Sequence, residues 1–72
     1  MKKRFAIFTE ESAFMQEKIH FEDAYGFGLE EYTEDAAYDA KEQGKKFVHF
    51  FEEKEGDYDQ TYYEYLNSEI LA

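Results

Sequence analysis

Eight Phe and seven Tyr, with a single Val, must supply the interior of a 72-residue chain whose formal net charge is −10. Large rings bury much apolar area per residue, which suits a small domain where surface is large relative to volume. The chain has no Cys, so neither a disulfide nor a thiolate-bound metal can staple it. Its stability must come from ring packing or from association, and a homodimer is the expectation. A chain this short has room for one domain, spanning 1–72. A mean hydropathy of −0.86 raises the prospect of disorder. Disordered acidic segments are poor in aromatic residues, however, and here they make up 21% of the chain, so a folded module is expected.

An isoelectric point near 4.4 means repulsion from phosphate, which excludes direct nucleic-acid binding. The lack of cysteine excludes a disulfide-rich secreted scaffold. The basic opening Met1-Lys2-Lys3-Arg4 is followed by four apolar residues, Phe5 to Phe8, before Thr9 and Glu10. That run is too short for an export signal or a membrane span. The reading is a cytoplasmic protein, free of the membrane, whose first residues belong to the fold.

Residues 4–8 read as a strand, and 18–22 as a second, with Ile19 and Phe21 on one face and Lys18, His20 and Glu22 on the other. Residues 11–17, carrying Phe14 and Met15, read as a helical turn or a loop, and Gly26 and Gly28 mark another turn. The clearest local signal follows. Thr33 is placed to cap a helix, Glu34 and Asp35 sit at the positive end of its dipole, helix formers run through Gln43, and Gly44 suits the left-handed position beyond the end. Ala36, Ala37 and Ala40 share one face and allow close approach to a sheet.

Residues 47–51 read as a central strand and 52–57 as a turn. Beyond it, Tyr58, Tyr62, Tyr65, Leu66 and Ile70 fit a helical stripe, with Asp57 and Gln60 as a capping box. Tyr-rich sequence after a Gly-Asp turn also suits a hairpin strand, and the helix is slightly favoured for the final residues. Either choice leaves an α+β fold: a small, mostly antiparallel sheet with one or two helices.

Catalytic chemistry finds little support. There is no Cys nucleophile, Ser12 and Ser68 have no surrounding motif, and Gly26-Phe27-Gly28 is not a phosphate loop. With 18 acidic residues, close carboxylate pairs arise by chance, so no general acid/base pair stands out. The expectation is a protein that is not an enzyme and uses no cofactor. Glu52, Glu53, Glu55, Asp57 and Asp59 surround Gly56, as carboxylates do in a calcium loop. Setting Gly56 at the sixth position puts Phe51 at the first ligand position and Tyr62 at the twelfth, so the match fails. His20 and His49 follow no ligand spacing and read as ordinary strand residues, so no metal site is expected.

Charge distribution is the remaining signal. Between Ile19 and Ala40 lie Glu22, Asp23, Glu30, Glu31, Glu34, Asp35 and Asp39, without a Lys or Arg. Between Phe47 and Ala72 lie Glu52, Glu53, Glu55, Asp57, Asp59, Glu64 and Glu69, against Lys54 alone. Segregation of this kind imposes a dense negative field on some surface. A compact chain of this size has a radius of gyration of about 11 Å and a length of roughly 29 Å, hence about one net charge per 3 Å. One strand of duplex DNA carries one charge per roughly 3.4 Å of axis. Solubility is the plainer use of such a surface, but self-repulsion costs a small core, which favours a functional reason.

In size, charge, aromatic content and the doublets Glu10-Glu11, Glu22-Asp23, Glu30-Glu31, Glu34-Asp35 and Glu52-Glu53, the chain resembles the small acidic DNA-mimic inhibitors of bacteriophages and mobile elements. That resemblance implies a phage-encoded inhibitor acting in the host cytoplasm. Its target would be a basic DNA-binding protein: an HU-type nucleoid protein, a restriction enzyme or a CRISPR nuclease. The carboxylates of Glu22, Asp23, Glu30, Glu31, Glu34, Asp35, Asp39, Glu52, Glu53, Glu55, Asp57 and Asp59 are the expected partner-binding groups. Tyr25, Phe27, Tyr32, Tyr58 and Tyr63 are expected to add exposed apolar contacts. Two alternatives are an acidic antitoxin or regulator that covers a basic partner without competing with DNA, and a self-associating structural module.

Overall fold

The computed structural model describes residues 4–12 and 16–71, without the side chain of Asp59. Residues 13–15, the middle of the 11–17 reading, lie outside the described residues, as do 1–3. Among the described residues, strands β1 (Arg4–Thr9), β2 (Lys18–His20), β3 (Glu30–Glu31), β4 (Phe47–Glu55) and β5 (Thr61–Ile70) form one sheet. Its order is β2-β5-β4-β1-β3, and every neighbouring pair is antiparallel. Two helices complete the α+β fold: the single turn α1 (Ala24–Phe27) and the longer α2 (Glu34–Glu42).

The run Phe47-Val48-His49-Phe50-Phe51 needs cover on both faces and a strand on both sides, and the fold supplies them. Because cross-strand partners share a face, the register sorts the core into two halves. On one face Ile7, Ile19, Phe51 and Tyr63 pack with Ala24 and Leu29, as the chain crosses from the β2 edge to the β3 edge. On the other, Ala6, Val48 and Phe50 pack with Phe8, Tyr32 and Leu71. There α2 lies over the sheet with Ala40 buried and Ala36 and Ala37 half-buried, the small face expected from their spacing. Burying a ring as fully as Phe51 or Phe50 contributes about 1.5–3 kcal/mol. Ring pairs Phe5–Tyr63 at 4.9 Å and Tyr32–Phe50 at 5.0 Å add directional contacts across the sheet.

Several sequence expectations are corrected. The last ten strand residues are β5, not a helix: Tyr63 is buried and Tyr65 half-buried on one face, while Glu64 is exposed, a period of two. Residues 52–55 are not a turn, because β4 continues to Glu55 opposite Thr61 and the reversal falls at 56–60. The second strand stops at His20, and Phe21 enters a 3-10 turn (Phe21–Asp23) with its ring exposed. The segment read as a glycine turn contains α1, closed by Gly28 at φ +79°. β3 was not foreseen.

Candidate partner-binding surface

Glu30 and the acids of α2 form a ridge on one face of the sheet, positioned by the strongest local signal in the chain, while Glu31 shares the opposite face with Phe5. Thr33 is extended and its Oγ1 accepts a hydrogen bond from the Ala36 amide at 3.0 Å, starting the helix where expected. Gly44 at φ +88° ends it, and the Lys45 amide reaches back to the Ala40 carbonyl. Glu30 and Glu31 pair with Ala6 and Phe5 at the outer edge of the sheet. Glu30, Glu31, Glu34, Asp35 and Asp39 are all exposed, and among the described residues no ion pair neutralises any of them. Asp35 and Asp39 stand one helical turn apart, about 5–6 Å between their Cβ atoms. Glu30, Asp35 and Asp39 line a groove of about 700 Å³ together with Phe8, Tyr25, Phe27 and Lys45. Phe8 and Lys45 were not anticipated there, because only the fold brings the end of β1 and the residue after Gly44 beside α1.

The remaining expected residues do not join that ridge. Glu55 and Asp57 line a separate hollow of about 530 Å³ with Lys18, His20, Tyr58 and Tyr62, at the β4–β5 reversal. Glu22 lines a neighbouring one with Phe21 and Gln60, and Asp23 is exposed beside it. Glu52 and Glu53 point to opposite faces of β4. The Lys54 ammonium lies 3.7 Å from the Glu52 carboxylate, and Lys18 sits 4.1 Å above the Tyr62 ring. This second region, toward the β2 edge, mixes signs, as Lys45 does in the β3–α2 groove. The side chain of Asp59 lies outside the described structure. Among the described residues, no group of three or more His, Asp or Glu is placed to hold a metal ion.

The expected aromatic contacts divide in the same way. Tyr25 and Tyr58 are 90% and 95% exposed, and Phe27 is 40% exposed at the mouth of the groove. Tyr32 is half-buried between Phe50 and Phe8, with the Arg4 guanidinium 5.8 Å from its ring. Tyr63 is a core residue opposite Glu53, so it offers nothing to a partner. Burial first, then the charge of Glu53 and the neighbouring Tyr25, hold its hydroxyl above the ordinary tyrosine value.

With the geometry in place, comparison with known proteins adds no relative. No protein-family model matches the chain, and neither a curated protein nor a solved structure matches it. Among the described residues no helix is long and apolar enough to cross a membrane.

Proposed function

We propose that this protein competes with DNA for the nucleic-acid site of a basic DNA-binding protein. The observation that carries the reading is the β3–α2 ridge: the exposed carboxylates of Glu30, Glu34, Asp35 and Asp39, with no ion pair among the described residues, three of which share a groove with exposed Tyr25 and Phe27 and with Lys45. Lys and Arg side chains that hold phosphate find carboxylates at comparable spacing there. Ten net charges along the 39 Å long axis amount to one per ~3.9 Å, close to the roughly 3.4 Å of a single DNA strand. The longest axis exceeds the length expected for a compact chain, and the agreement survives the correction. Tyr25 and Phe27 give the stems of Lys or Arg an apolar and cation–π surface that a phosphate backbone lacks. An HU-type nucleoid protein is the first target to test, with restriction and CRISPR nucleases after it, and a phage origin belongs to the same proposal.

The experiment is displacement of labelled duplex DNA from a purified HU-type protein, repeated with Glu30→Gln, Glu31→Gln, Glu34→Gln and Asp35→Asn combined. Four exposed ion pairs at about 0.5 kcal/mol each amount to roughly a thirtyfold loss of affinity. The wild-type complex should also weaken as salt rises. A ternary complex with DNA would point instead to a regulator that binds elsewhere on the target. Unchanged affinity in a variant whose circular dichroism is intact would remove the ridge from the interface.

A further inference from the structure

Ser68 has no motif around it in the sequence, but the fold gives its hydroxyl a base. The β4–β5 register sets Ser68 opposite His49, and the Ser68 Oγ lies 2.6 Å from His49 Nδ1. On its other side the ring is held by Thr9 of β1, with His49 Nε2 2.7 Å from the Thr9 Oγ1. A hydroxyl within reach of an imidazole that a third group orients is the arrangement that activates serine for attack on a carbonyl. His49 is fully buried, and burial lowers its pKa, so the ring is an unprotonated base at neutral pH. Ser68 itself is half-buried, not enclosed. Its hydroxyl donates to His49 and accepts from the Tyr65 hydroxyl, which leaves a second lone pair on the oxygen.

We infer that Ser68 is a nucleophile for acyl transfer, with His49 as its general base and a neutral, activated carboxylic ester as the donor. The Ser68 Oγ bonds to the carbonyl carbon, its proton passes to His49 Nδ1, and the bond from that carbon to the leaving oxygen breaks. The leaving group departs as its anion, acyl-Ser68 remains, and the imidazolium gives its proton to solvent. Phe47 and Ile70 share the face of His49 and Ser68, Phe47 half-buried and Ile70 76% exposed. An apolar acyl chain therefore has a surface to lie on beside the oxygen. A net charge of −10 repels an anionic donor, which is why the ester is neutral. Glu30 and α2 lie on the opposite face of the sheet, so this chemistry and competition with DNA are carried by different surfaces and fail separately.

The probe is p-nitrophenyl butyrate, whose leaving group departs as a coloured anion. The protein should release p-nitrophenolate in a burst, and peptide mass mapping should place the butyryl group on Ser68. Ser12 is exposed and bonds no histidine among the described residues, so it is the comparison within the same molecule. A positioned base contributes about 10²–10⁴-fold, so Ser68 should acylate at least about a hundred times faster than Ser12. Its rate should rise with pH only through the native titration of His49, below 6.5, and be level above it. His49→Gln should lose about a hundredfold in that rate and climb with hydroxide instead. Ser68→Ala should abolish the burst. Equal acylation of the two serines, a wild-type rate that follows hydroxide throughout, or a burst that survives in Ser68→Ala would each overturn the inference. The comparison of Ser68 with Ser12 needs no substitution, so it decides even where a variant fails to fold.

Discussion

His49 is the only polar or charged residue among the described residues that is fully buried, and burial favours its neutral ring. The Thr9 hydroxyl donates to the Glu11 carbonyl at 2.6 Å, so its oxygen is left to accept from His49 Nε2 at 2.7 Å. In the neutral ring that burial favours, Nδ1 accepts from the Ser68 hydroxyl at 2.6 Å, which leaves the Tyr65 hydroxyl to donate to Ser68. The chain runs in one direction through a neutral ring. Burial holds His49 below its ordinary value of 6.5, against a smaller opposing contribution from the Glu11 backbone. In the unfolded chain the ring protonates near 6.5, so below that pH the unfolded state binds the extra proton and the folded state does not. The His49 contribution to stability is full above 6.5 and falls as pH drops toward the lowered native value. His49→Gln keeps a donor and an acceptor but does not titrate. Urea midpoints for the two proteins should therefore converge as pH is lowered from 7.5 to 5.5, and parallel curves would show that the ring is charged in the fold. Sequence placed His49 in a strand with a structural role, but could not pair it with Ser68. That pairing depends on the β4–β5 register and on a one-residue shift within it.

At the scale of elements, α2 was legible because its signals are local: cap, dipole acids and terminal glycine all lie within the segment they define. β5 was not, because Tyr58, Tyr62, Tyr65, Leu66 and Ile70 fit a helical stripe as well as they fit a strand. The decision came from β4, whose two apolar faces demanded a neighbour on each side. β3 has two residues and no apolar pattern, so only its pairing with Phe5 and Ala6 defines it. The site divides likewise. Glu34, Asp35 and Asp39 stayed together on α2, whereas strand alternation separated Glu30 from Glu31 and Glu52 from Glu53, the latter where a turn reading had hidden it. Within α2 the acids differ in what they do for the helix. Glu34 and Asp35 favour the positive end of its dipole, but Asp39 faces Asp35 one turn away and lies toward the negative end. Asp39→Ala should therefore raise stability by about 0.5–1 kcal/mol, from better helix propensity and relieved repulsion. If the groove holds a cationic side chain, the same substitution weakens binding of the target. Loss of stability in Asp39→Ala would mean that the carboxylate has a supporting contact in the fold.

For the whole molecule, the same charge acts on folding and on binding to a basic target, with opposite salt dependence: added salt relieves repulsion within the fold and weakens the complex. A chain with −10 confined to 39 × 26 × 19 Å repels itself, and the described ion pair Glu52–Lys54 involves neither the β3–α2 acids nor their groove. Salt screens that repulsion over a Debye length of about 10 Å at 0.1 M and about 3 Å at 1 M, both shorter than the long axis. Thermal unfolding should thus shift upward with added sodium chloride. A gain of about 1 kcal/mol corresponds to about 4–8 °C for a domain of this size. Self-association would also raise the midpoint, because an associated state is stabilised by mass action. Concentration separates the two causes. A salt-induced shift that persists on dilution reports repulsion within one chain, and a part that disappears on dilution reports association. A midpoint indifferent to salt at high dilution would mean that the acids are far enough apart to leave the fold unstressed, and the cost that argued for a functional acidic surface would vanish with it.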